Sequence, residues 1–90
     1  MTSQASSNPL ERLAQLVNAN DRLIDDLASS RARIVAALVY LDKPDCNARL
    51  GSAHLHRCRK RHAGILAQLR ANRIEALQLL GKPIRGRECS

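Results

Sequence analysis

The chain has 90 residues, a formal net charge of +7 and one aromatic residue, Tyr40. That length makes one small domain at most, and such a domain buries only a modest fraction of its surface. Large aromatic side chains therefore do not build the core, and Tyr40 alone could serve as a base-stacking platform of the kind single-strand binders use.

Leu and Ala dominate the apolar residues, with few β-branched side chains, which points to an all-α fold. Charge is uneven along the chain. Residues 1–45 carry five basic and six acidic side chains, whereas residues 46–90 carry ten basic and two acidic ones. This asymmetry implies an anionic partner for the second half.

Residues 1–8 read as a flexible N-terminus without the basic-then-apolar plan of a signal peptide. Asn8 is the expected N-cap and Pro9 suits a first helical turn. A first helix is predicted over about residues 9–42. Leu10, Leu13, Val17, Asn20, Ile24, Leu27, Arg31, Ile34, Leu38 and Leu41 alternate steps of three and four, a heptad seam. Leu16, Leu23 and Ala37 form a flanking row that widens the stripe. Pro44 stops the helix, since it donates no backbone hydrogen bond and restricts Lys43.

Asp45 or Asn47 can cap a second helix, predicted over about residues 47–80. Its apolar face runs from Leu55 through Cys58, His62, Ile65, Leu66, Leu69, Ala76, Leu77 and Leu80. Gly81 and Pro83 mark its stop, with glycine in a left-handed cap. Residues 82–90 form a short basic tail.

LASSRARIVAALVYLDKP at residues 27–44 and LAQLRANRIEALQLLGKP at residues 66–83 share nine of eighteen positions. Two copies are too few for a solenoid, so a helix-plus-stop unit used twice gives a hairpin. Two long helices on a short link lie antiparallel. One seam leaves half of so wide a stripe uncovered, and a four-helix bundle made by homodimerisation is the simplest cover. The register and interface residues expected on this reading are Asn20, Ile24, Leu27, Arg31, Ile34, Leu38, Ile65 and Leu69. Asn20 falls near Asn72 in an antiparallel pair, so a side-chain hydrogen bond between them is expected. A buried Asn of this kind sets register and partner number.

His54, Cys58 and His62 lie four residues apart in succession, with zinc-preferring side chains. Three successive turns of one helix do not converge easily on one ion. The expectation is a core thiol and a satisfied core histidine, with no cofactor. No nucleophile stands with a base and an orienting acid, and no Gly-rich phosphate loop is present, so the chain reads as non-enzymatic, without a small-molecule substrate. Asp21 with Arg31 resembles the first helix of all-helical chorismate mutases. The resemblance stops at that helix and lacks the third helix with its catalytic polar residue. With Cys46, Cys58 and Cys89 an odd set, and no apolar run long enough for a bilayer, the expected setting is a reducing cytoplasm with free thiols and no membrane contact.

On helix 2, Arg49, Arg57, Lys60 and Arg61 are expected in one sector opposite the apolar stripe, with Arg59, Arg70 and Arg73 nearer its edge. The tail adds Lys82, Arg85 and Arg87. Rows of guanidinium groups straddle phosphates, giving affinity without sequence choice. With so few aromatics, a duplex is the better nucleic-acid partner. The closing RIEALQLLGK is similar to a helix in small subunits of phage terminases, which implies DNA binding. The expectation is a small regulatory or assembly module docking through a basic helix on nucleic acid, a nucleoprotein complex or an acidic protein. The alternative is a protein-interaction adaptor or inhibitor working through the apolar stripe, a kind of small basic helical protein that occurs among phage and mobile-element regulators.

Overall fold

The computed structural model describes residues 8–81, and the terminal segments, with Lys82, Arg85, Arg87 and Cys89, lie outside it. Helix α1 spans Pro9–Leu41 and helix α2 spans Ala48–Leu79. At 1.5 Å per residue, each is roughly 50 Å long. The two pack antiparallel as a helical hairpin.

Local chemistry sets the ends. The Asn8 side chain accepts the Leu10 backbone N–H at 2.9 Å, satisfying one of the orphan donors of a helix start. Asn47 does the same for Leu50 at 3.1 Å. Between the helices, the Asn47 backbone N–H donates to the Tyr40 hydroxyl oxygen at 2.8 Å, which ties the second cap to the last turn of α1. The two stops differ despite their similar sequences. Gly81 takes φ of 71°, the left-handed conformation that costs glycine little. Asp42, at the matching place in α1, stays right-handed at φ −79°.

Three contacts define the register. Asn72 Nδ2 donates to Asn20 Oδ1 at 2.9 Å, so the expected amide pair is present. His62 Nδ1 lies 3.2 Å from Ser30 Oγ. Gly51 lies against Leu41 beside the turn, where an added Cβ would sit 2.5 Å from Leu41 Cδ2. Continued along both helices, the same register sets Leu13 level with Leu79, Leu16 with Ala76, Leu23 with Leu69, and Leu27 with Ile65. Ile34 is then level with Cys58, and Ala37 with Leu55. Leu16, Ala37, Cys58 and Ile65 are the buried apolar residues, joined by Ser30 at 2% exposure and by Asn72.

The seam of α1 thus differs from the expected one at alternate positions. Leu13, Asn20, Leu27, Ile34 and Leu41 face α2 as the heptads require. Val17, Ile24, Arg31 and Leu38 do not: they point outward, with Val17 at 58%, Ile24 at 55% and Leu38 at 44% exposure. Leu16, Leu23, Ser30 and Ala37 take their places. The physical reason lies at the centre of the hairpin. Arg31 stays charged, and burying it without a carboxylate is costly, whereas Ser30 is small and meets a partner in His62. A one-residue rotation of the helix face serves both. On α2, Leu66 and Leu80 are likewise exposed, and Asn72 is buried in their stead. The repeated segments therefore present different members to the seam, and the sequence repeat is not carried into equivalent packing.

Candidate anion-binding surface

The hairpin has two broad faces, one on either side of its seam. Near the middle of one face, Arg33 of α1 and His54, Arg57 and Arg61 of α2 border a groove of about 240 Å³ whose remaining lining is Ser30 and Cys58. Register explains the convergence. Arg33 sits level with the turn of α2 between Arg57 and Arg61, which are one helical turn apart and share a side. The floor consists of the two small buried side chains, Ser30 and Cys58, so the longer rim residues enclose depth.

Both floor residues make polar contacts. Ser30 faces His62 as described, and Cys58 Sγ lies 3.5 Å from His54 Nε2. His62 is thus turned toward α1, while His54 turns toward Cys58. Among the described residues, no three His, Cys, Asp or Glu side chains form a set able to hold a metal ion. A second groove of about 190 Å³ adjoins the first. Ala36, Ala37, Tyr40, Gly51 and His54 line it, and His54 belongs to both.

The charge around this site is one-sided. No Asp or Glu occurs from residue 46 to residue 74, nor from residue 27 to residue 41. Antiparallel pairing brings these stretches side by side, so half of the hairpin is free of carboxylates on both helices. Arg31, Arg33, Arg57, Arg59, Lys60 and Arg61 all lie within it, and all are exposed. Among the described residues, the only ion pair is Arg12 with Glu75, near the open end of the hairpin. There Arg12 Nε and Nη2 donate to the two Glu75 oxygens at 2.5 and 2.8 Å, a bidentate clasp between the helices. Those hydrogen bonds, reinforced by charge attraction, hold the Glu75 carboxyl below its ordinary range and raise Arg12 above its own.

The expected basic residues are therefore divided. Arg57 and Arg61 border the seam on the groove side, beside α1, and do not stand opposite the apolar stripe. Lys60 and Arg49 are exposed away from the groove, and Arg59, Arg70 and Arg73 are exposed elsewhere on α2. Arg33 had no place in the expected set, because a single-helix wheel cannot show what the neighbouring helix contributes. The Asn20–Asn72 register carries that signal, since it sets Arg33 between Arg57 and Arg61.

The opposite face is apolar on α1. Leu10, Val17, Ile24 and Leu38 recur at sevenfold spacing with Arg31 among them, and Val35 and Val39 are also exposed. No helix among the described residues is long and apolar enough to cross a membrane. Comparison with protein-family models, curated proteins and solved structures returns no match.

Proposed function

We propose that the protein is a non-enzymatic docking module whose basic half engages an anionic surface, with duplex nucleic acid or a nucleoprotein complex as the partner. The observation that carries this reading is the carboxylate-free half of the hairpin, where five exposed cationic side chains outside the apolar row, Arg33, Arg57, Arg59, Lys60 and Arg61, have no acidic neighbour in their own stretch of either helix. Phosphates supply the missing counter-charge, and contacts of this kind release condensed counterions. The test is fluorescence anisotropy of labelled duplex DNA and RNA at several salt concentrations, beside an Arg57/Lys60/Arg61→Gln variant. Affinity should fall steeply with salt, by roughly 0.9 log unit per log unit of salt for each duplex-DNA phosphate engaged, and the variant should lose most of it. Absence of binding at low salt would overturn the reading.

A second reading rests on the other face. The exposed row of Leu10, Val17, Ile24 and Leu38 suits docking to another helix, and a second copy of this chain would complete a four-helix bundle. On this reading the protein is an adaptor or inhibitor whose apolar row takes a partner protein. Affinity for such a partner should be nearly indifferent to salt and should be lost on Ile24→Asp.

A further inference from the structure

The geometry points to a discrete phosphoryl-binding seat in the groove bordered by Arg33, Arg57 and Arg61, with one phosphodiester of a nucleic-acid backbone as its occupant. This inference deepens the docking reading above and rests on it for the source of the phosphate. Three observations carry it. Arginines of two helices, Arg33 of α1 and Arg57 and Arg61 of α2, line one depression, so the arrangement is a product of the fold and not of one helix's composition. The depression has a floor of small buried side chains, Ser30 and Cys58, below long exposed ones, which gives an anion a recess instead of a flat charged surface. Among the described residues, none of the three guanidinium groups takes part in an ion pair, and like charges one turn apart on a helix repel. Asp26, one heptad before Arg33 on α1, pairs with none of them.

The chemistry matches a phosphoryl group. Guanidinium groups present planar forks of N–H donors, and a phosphoryl group offers oxygens in several directions, so Arg33 can approach from one wall while Arg57 and Arg61 approach from the other. At about 240 Å³, the groove falls below the usual size of a pocket for a whole drug-sized ligand. The adjoining groove, lined by Ala36, Ala37, Tyr40, Gly51 and His54, is less basic and leaves room for the sugar attached to that phosphate. The Tyr40 hydroxyl already accepts the Asn47 N–H, so the ring is held in place as a wall and is not free to swing over a base.

The decisive comparison is between two single variants of the full chain, Arg33→Gln and Arg31→Gln. Both remove one charge from an exposed position of α1, two residues apart, and only Arg33 lines the groove. Circular dichroism establishes that each variant keeps its helix content. In duplex titrations across salt, Arg33→Gln should weaken binding about tenfold on every sequence and lower the salt slope by about one, while Arg31→Gln should change affinity less than about twofold. The second arm follows the arginine Nε–Hε resonances of the wild-type chain during titration with inorganic phosphate, against chloride at matched ionic strength. Shifts confined to Arg33, Arg57 and Arg61 support the seat. Equal weakening by both variants overturns it, leaving a diffuse basic field and the docking reading intact. If the wild-type chain binds no duplex, the docking reading and its phosphodiester fall together. The phosphate titration then decides the groove alone: localised shifts retain a seat for a free phosphoryl ligand, and uniform or absent shifts remove it.

Discussion

At the scale of single residues, the two glycines of α2 make opposite demands. Gly64 stands in mid-helix with nothing near the place of an added Cβ. Its only effect on the folded state is the backbone freedom that must be lost, so Gly64→Ala should stabilise the hairpin by about 0.5–1 kcal/mol in urea unfolding. Gly51 is buried, and its missing Cβ is what lets Leu41 and the Tyr40 ring approach. Gly51→Ala should lower stability, because Leu41 must shift at the point where the chain turns back. The amide pair poses a different question. Asn20→Leu alone leaves the buried Asn72 Nδ2 without its partner across the seam, with only Gln68 Nε2 still donating to its Oδ1. The loss should be roughly 1–3 kcal/mol, whereas the double change to Leu should recover most of it. A double-mutant cycle measures the coupling, and a cycle that closes with no interaction term would deny the pair any energetic role.

At the scale of the helix, the period of α1 was legible in the sequence, but its rotation was not. Heptad steps appear in two rows one residue apart, with Leu10, Val17, Ile24 and Leu38 in one and Leu16, Leu23 and Ala37 in the other. What separates the rows is a polar residue in each: Arg31 in one and Ser30 in the other. A serine reads as surface until its partner His62 is known to lie across the seam, and that knowledge belongs to the second helix. The caps were more legible, since Asn8, Asn47 and Gly81 act within a few residues of themselves. Arg57 and Arg61 could be named from α2 alone, but the groove they border depends on Arg33. The Arg12–Glu75 clasp is illegible in either helix alone for the same reason. Its pH signature follows from the lowered Glu75 pKa. The clasp contributes its full stability above the pKa of an unfolded-chain Glu, and that contribution disappears as pH falls through the lower folded-state value. Acid unfolding of the wild-type chain should therefore show a loss across that window which Glu75→Gln lacks. Both side chains are partly exposed, so added salt should shrink the difference between them.

At the scale of the molecule, the hairpin keeps its two kinds of surface apart. One face carries the cationic groove, and the other carries the heptad row of α1. A second copy seated on that row would leave the grooves of both copies uncovered, so self-association and anion docking are compatible. Sedimentation equilibrium should find a dimer whose dissociation constant rises at least tenfold in Ile24→Asp. The same variant should keep a groove that responds to phosphate. A monomeric wild-type chain at the highest soluble concentration would remove the bundle and leave the row to a partner protein.

The spacing of the two polar seam pairs has a consequence for how the chain finds its fold. Heptad packing invites slippage, because sliding one helix by seven residues returns the same kind of face to the seam. Here such a slide brings Asn20 against Ile65 or Leu79 and Ser30 against Leu55 or Leu69. Asn72 then meets Leu13 or Leu27, and His62 meets Leu23 or Ala37. Either slide strands both pairs against hydrocarbon, at about 1–3 kcal/mol for each polar group left without a partner. Each misaligned hairpin is therefore less stable than the native one, and the alignment of the helices is fixed at two points along each.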